Sequence, residues 1–96
     1  MSTIIHKKVW PEYFQQILSG RKNFELRLAD FDVKEGDILV LQEWDNNKNT
    51  YTGRKIEVVA TYILKTKELT FWSKKDTETY GFQVIQFEPC TKSKLN

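Results

Sequence analysis

Cysteine, histidine and proline are scarce in this 96-residue chain, which has one Cys, one His and two Pro beside four Gly. The single cysteine, Cys90, excludes an internal disulfide framework. One Cys and one His cannot build a zinc cluster of the Cys/His type. Long hydrophobic runs are also missing. The longest uninterrupted one, Ile38–Leu41, is far too short for a transmembrane helix, and no signal-like apolar stretch follows Met1. These absences lead to the expectation of a small cytoplasmic domain in a reducing compartment, with no membrane contact, no metal and no cofactor. Net charge is scarce as well: 15 Lys and Arg against 13 Asp and Glu leave only +2. That excess is too small to define a polyanion-binding protein, so any nucleic-acid role must come from how the charges are arranged.

Aromatic and apolar side chains are abundant. The chain is 40% hydrophobic and 14% aromatic, with six Phe, four Tyr and three Trp, enough volume for one compact core. A disordered chain would show lower hydrophobicity and a larger charge imbalance. No internal repeat or low-complexity segment is visible. Residues 1–90 read as a single domain, and the polar stretch 91–96 reads as a frayed, flexible tail.

The patterning predicts one helix and several short strands. Ile4 to Val9 is β-branched and reads as a first strand or an extended lead-in. Pro11 to Ser19 has Pro in the first helical position, Glu12 in the first turn and Gly20 as a stop, with Trp10, Tyr13, Phe14, Ile17 and Leu18 on one apolar face. In Asn23–Arg27, Phe24 and Leu26 face one side while Asn23, Glu25 and Arg27 face the other. Lys34–Asp37 reads as a turn whose Gly36-Asp37 fixes a corner, followed by a strand from Ile38 to Trp44. Asp45 to Thr50 reads as a hairpin loop. A strand from Arg54 to Leu64 places Ile56, Val58, Ala60 and Tyr62 on one side, and Gly81–Phe87 closes the sheet. Lys65 to Tyr80 reads as a short helix or a long loop. The fold class expected is α+β, mainly β: a small pseudo-barrel of five to six strands with a helix packed at its side.

The segment Gly20-Arg21-Lys22-Asn23-Phe24-Glu25-Leu26-Arg27 puts four charges into eight residues at the junction of helix and strand. Glu25 and Arg27 project from the same side of the strand, and Lys22 lies in the connection before it. Two cations with one carboxylate suit a phosphate or a base edge. A solvated strand edge with a Glu–Arg pair also fits, and spacing alone favours it.

Gly20, Lys22, Glu25 and Arg27 match the G-x-K-x-x-E-x-R signature of ASCH domains, which belong to the PUA-like superfamily. The chain resembles an uncharacterised bacterial and phage branch of them through His6–Phe14, Ser19–Arg27, Val33–Leu39, Glu43–Asp45, Tyr51–Arg54, Thr61–Leu64 and Gly81–Ile85. The resemblance covers nearly the whole chain in the expected order. It implies a small pseudo-barrel with a cleft beside the helix, and binding of RNA or of a plain or modified nucleoside or nucleotide. One bacterial branch is similar to an amidohydrolase that removes the acetyl group from N4-acetylcytidine with a Lys, a Thr nucleophile and a Glu. Lys22 matches that Lys, but Glu25 stands where the Thr would be, and a carboxylate cannot replace an activated hydroxyl. Other members have been proposed to be ribonucleases, and no residue pair here specifies that chemistry.

Other candidates carry weaker signals. His6, the only histidine, is either a general base or a structural histidine. Trp44, between Glu43 and Asp45, is either a base-stacking platform or a core residue. Trp10 reads as core. Arg54, just after Gly53, suits a phosphate or guanine contact, or is a surface Arg after a hairpin. Phe71 and Trp72, flanked by Lys65, Lys67, Lys74 and Lys75, read as a lid or as a loop pinned by two aromatics.

Three function classes follow. In the first, an RNA- or nucleotide-binding module uses Lys22 and Arg27 on phosphate or a base edge, Glu25 to orient Arg27 or to read an exocyclic amine, Trp44 to stack and Arg54 as a further contact. In the second, an enzyme on a modified nucleoside or RNA uses Lys22 and Glu25 as acid and base. The third is a protein-interaction adaptor using Lys65–Tyr80. A pocket closed on all sides favours the enzyme, an open basic groove favours RNA, and a contiguous apolar patch favours a protein partner. As surface charges, Lys22 and Arg27 are each expected to tolerate alanine with little loss of stability, and Glu25→Ala is the case that discriminates an orienting carboxylate from an acid/base group.

Overall fold

The residue pattern changes period twice near the N-terminus, and the backbone follows it. The computed structural model describes residues 2–69, 73–75 and 78–90. Strand β1 (Ile4–Val9) leads into helix α1 (Pro11–Leu18), and strands β2 (Phe24–Leu28), β3 (Ile38–Asp45), β4 (Thr50–Lys65) and β5 (Phe82–Pro89) follow. A single 3-10 turn, Thr66–Glu68, comes directly after β4. The five strands form one curled half-barrel sheet in the order β1-β3-β4-β5-β2, with β1 parallel to β3 and every other pair antiparallel. The fold is α+β and mainly β, as expected.

The concave face of the sheet holds the core. Val9, Leu39, Leu41, Val58, Ala60, Ile85 and Phe87 meet Phe14 and Ile17 from α1 and Val33 from the loop after β2. Pro11 occupies the first turn of α1, where its missing N–H leaves nothing unpaired. Phe14 and Ile17 are the buried helix positions, three apart on one side, which is the spacing an eight-residue helix needs to anchor itself on β3. Ser19 caps α1 instead of belonging to it.

Trp10 departs from the core expectation. It is the N-cap residue of α1, where the chain is still extended, and its side chain is 49% exposed. Tyr62 departs as well. A register shift between Ala60 and Tyr62 adds one residue to β4 against β5, so the inward set passes from Ile56, Val58 and Ala60 to Ile63, and Tyr62 turns outward. One extra residue in a strand flips every side chain beyond it.

The Gly36-Asp37 corner is a hydrogen-bonded junction. Gly36 has φ +96°, and the buried Asp37 carboxylate accepts from the backbone N–H groups of Thr3 (2.9 Å) and Lys34 (2.8 Å). The tail 91–96 and the pair Phe71 and Trp72 lie outside the described residues. No helix among the described residues is long and apolar enough to cross a membrane.

Candidate functional site

The end of α1 aims the signature residues. Gly20, at φ +82°, lets the chain reverse, and the N–H groups of Arg21 and Lys22 both donate to Gln16 O at 3.0 Å. The reversal carries Lys22 back beside the start of β2. There its ammonium donates to Phe24 O at 2.6 Å and to Glu25 Oε1 at 2.9 Å. Arg27 Nε donates to Glu25 Oε2 at 2.8 Å, and Arg27 Nη2 donates to Lys8 O at 2.5 Å. Each oxygen of Glu25 thus accepts from one cation. Glu25 is only 4% exposed, while Phe24 and Leu26 on the opposite side of β2 are 47% and 59% exposed. The alternation expected for Asn23–Arg27 is present, with its charged side turned inward and its apolar side in solvent.

β1 and β2 are the two edges of the sheet, and the chain between them runs through α1. The gap they leave is a cleft of about 460 Å3 lined by both edge strands, Trp10 and Tyr13 of the helix start, and the Lys22–Glu25–Arg27 group. Backbone polarity adds to it. Phe87 N–H donates to Asn23 O and Ala29 N–H donates to Gly81 O, so the odd-numbered peptide groups of β2 serve β5. By strand geometry, the N–H and C=O of Leu26 point to the free edge. The cleft therefore offers exposed rings from Trp10, Tyr13 and Phe24, two cations partly neutralised by one carboxylate, and an unpaired strand edge.

Of the residues singled out in the sequence, Lys22, Glu25 and Arg27 are brought together. Trp44 is one step removed: the Lys8 ammonium lies 3.8 Å from its ring centroid, while the Lys8 carbonyl accepts from Arg27. Trp44 also meets Tyr51 edge-on, with centroids 5.0 Å apart. Arg54 belongs to a separate network. A register shift opposite Glu43 places Thr52, Gly53 and Arg54 in a bulge. Arg54 then donates through Nε and Nη2 to the two Glu43 oxygens, both at 2.8 Å, and Thr52 Oγ1 donates to Oε1 at 2.6 Å. The Arg54 hydrogen bonds hold the buried Glu43 carboxyl at a pKa of about 2, against the opposing effect of burial. Arg54 lies over the Phe14 ring (5.1 Å) and does not line the cleft, and neither does His6.

Lys8, Trp10, Tyr13, Phe24 and Leu26 line the cleft without having been named as site residues by the sequence. Their apolar character at helix and strand spacing is indistinguishable from that of core residues. Only the position of β1 and β2 as opposite sheet edges puts them at an opening. Among the described residues, no group of three or more His, Cys, Asp or Glu is arranged to hold a metal ion.

A half-barrel of five strands, opened between its edge strands over a charged and aromatic cleft, defines the class of protein. The chain belongs to the family described as a domain of unknown function, DUF3850, whose model matches residues 5–76 and so takes in every residue that lines the cleft. It is similar to the uncharacterized 12.9 kDa protein in the GpA 3′ region of Escherichia phage P2, with 38% identity over 63 residues. That match covers 66% of this chain and 56% of the phage protein, so the chain spans about half the length of this relative. The crystal structure of hypothetical protein PH0355 has the same fold, with a TM-score of 0.63 at 19% identity over 92% of this chain and 100% of that one.

Proposed function

We propose that the cleft between β1 and β2 binds a nucleotide or a short single-stranded RNA, and that the domain is an RNA-binding module of the ASCH type within the PUA-like superfamily. One observation carries this reading: Trp10, Tyr13 and Phe24 expose their rings around Lys22 and Arg27, whose charge is offset only in part by Glu25. Flat aromatic surface suits a base, worth about 1–3 kcal/mol per stacked ring. The surplus cation suits a phosphate. The four matched signature positions, Gly20, Lys22, Glu25 and Arg27, are the ones that build this corner, which supports the ASCH assignment. Glu25 accepts from a cation on each oxygen, and the cleft is an open gap between strand edges; both features favour binding over turnover.

A second reading is favoured by a different observation. The outer face of β2, β5 and β4 exposes Phe24, Leu26, Leu28, Phe82, Tyr62 and Leu64, and the register places Leu26, Val84 and Leu64 in one row. A mainly apolar face of this kind, interrupted by Gln86 between Phe24 and Tyr62, suits a protein partner.

Tryptophan-fluorescence titration with nucleoside monophosphates and short RNAs separates the two. The nucleotide reading expects saturable quenching and a log–log salt slope of roughly −2 to −4. It also expects Lys22→Ala or Arg27→Ala to weaken binding by about 1–3 kcal/mol. No quenching by any nucleotide, or an affinity indifferent to salt and to both substitutions, leaves the protein-partner reading.

A further inference from the structure

A second hollow opens at the far end of β2. It measures about 400 Å3 and is lined by Ala29, Lys65, Lys67, Glu68, Thr79 and Tyr80. Two lysines, a threonine and a tyrosine line it with one glutamate, so the residues around it carry a surplus positive charge. Neither lysine forms a salt bridge among the described residues. The wall is tightly built: a β-carbon on Gly81 would stand 2.9 Å from Lys67 Cβ, and Phe82 N–H donates to Thr66 Oγ1 at 2.6 Å. The stem of Lys67 is therefore fixed by its packing on the backbone at Gly81.

The hollow and the cleft lie on the two sides of one cross-strand row. Arg27 on β2 pairs with Gln83 on β5, and Gln83 pairs with Lys65 on β4. Arg27 borders the cleft and Lys65 borders the hollow. Gln83 between them is fully buried, and its Oε1 has no partner among the described residues. Strands are spaced by about 4.8 Å, so the Arg27 and Lys65 backbones stand about 10 Å apart. Along β2 the cleft ends at Arg27 and the hollow begins at Ala29, about 7 Å further on. A stacked single strand advances about 3.4 Å per nucleotide, so the hollow lies about two to three nucleotides from the cleft.

We infer that the Lys65–Lys67–Thr79–Tyr80 hollow is a second phosphate subsite, and that the ligand of the cleft is a single-stranded oligonucleotide running along β2 from one end to the other. This rests on the nucleotide reading of the cleft. Lys65 and Lys67 supply charge to one phosphate of the chain, and Thr79 and Tyr80 supply hydroxyl donors to its oxygens. A mononucleotide fills the cleft alone; an oligomer of about four nucleotides reaches both sites.

Titrations of the full chain with adenosine and uridine monophosphates, and with their oligomers of two, four and six nucleotides, test the subsite. The parent is expected to gain about ten-fold or more in affinity between monomer and tetramer. The double variant Lys65→Gln/Lys67→Gln should lose that gain, bind monomer like the parent, and flatten the salt slope for the hexamer by about 0.7, the share of one phosphate. Glutamine keeps the packed stem, and an unchanged thermal melt shows that the fold is intact. If the double variant binds the hexamer like the parent, with the same salt slope, the subsite is refuted. The cleft reading then stands on the response to Lys22→Ala. A double variant that also loses the mononucleotide refutes the subsite as a separate site. Failure of the parent to bind any of these ligands overturns both readings.

Discussion

Arg27 ties the two open edges of the half-barrel together: its Nη2 donates to the carbonyl oxygen of Lys8 at 2.5 Å, joining β2 to β1 where no backbone ladder does. The same guanidinium holds Glu25 through Nε. One side chain therefore fixes both the width of the cleft and the placement of the carboxylate inside it. The carbonyl it uses belongs to a residue whose ammonium rests on Trp44, so an unbroken chain of contacts runs from the cleft to the β3–β4 aromatic pair.

Glu25→Ala is expected to cost stability, in contrast to the small effect expected of a surface charge. The carboxylate is buried, while Lys22 and Arg27 keep side-chain exposures of 17% and 27%. Removing one partner of a fully buried pair costs about 3–5 kcal/mol, and the partial solvation of these cations brings the expectation to about 2–3 kcal/mol. Urea unfolding measures it. A double-mutant cycle of Glu25→Ala with Arg27→Ala should show a coupling of about 1–3 kcal/mol. Additive single effects would mean that the two side chains act independently.

Trp10→Ala should separate binding from stability. The side chain is half-exposed at the helix cap and makes no capping hydrogen bond, so the melting temperature should barely move. Ligand affinity should fall by about 1–3 kcal/mol if a base stacks there. A large loss of stability with intact binding would restore Trp10 to a core role.

Acid should weaken the fold through Glu43. Its folded-state pKa of about 2, set chiefly by the Arg54 hydrogen bonds, lies below the ordinary 4.5. The unfolded chain therefore binds a proton first as the pH drops. The stabilisation is complete above pH 4.5 and is lost as the pH falls toward about 2. Arg54 is half in solvent, so the loss should be on the order of 1–2 kcal/mol after screening. Stability measured against pH should decline less steeply in Glu43→Gln than in the parent over that window. Parallel curves would contradict the assignment.

Two glycines with positive φ should respond differently to alanine. Gly53 (φ +97°) has open space where a β-carbon would go, so Gly53→Ala should cost only the backbone strain, about 1–2 kcal/mol. Gly81 (φ +62°) would bring that carbon to 2.9 Å from the Lys67 backbone nitrogen. Gly81→Ala should add about 1–3 kcal/mol of overpacking to the same strain. Equal costs in thermal denaturation would mean that the wall around Lys67 is looser than the geometry indicates.

Much of the fold is legible in the residues because it is local. Pro11, Glu12 and Gly20 punctuate the helix, and Gly36-Asp37 marks the corner before β3. What the sequence could not convey is long-range. The bulge at Thr61 reverses Tyr62 although nothing in Ala60-Thr61-Tyr62 announces it. Arg54 reads as a free cation until the Thr52–Arg54 bulge folds it onto Glu43. At the site, the spacing of Lys22, Glu25 and Arg27 was enough to group them. The role of Trp10, Tyr13 and Phe24 depends on β1 and β2 being opposite edges of one sheet, which is a property of strand order and not of any local pattern.

The most direct test of the nucleotide-binding account is a 15N-resolved NMR titration of the full chain with nucleoside monophosphates and a short RNA. The account predicts ligand-dependent shifts concentrated at the Trp10 indole, at Lys8 and Tyr13, and along Phe24–Arg27, with Leu26 N–H among the most affected. Shifts confined to other surfaces, or none at saturating ligand, would contradict it.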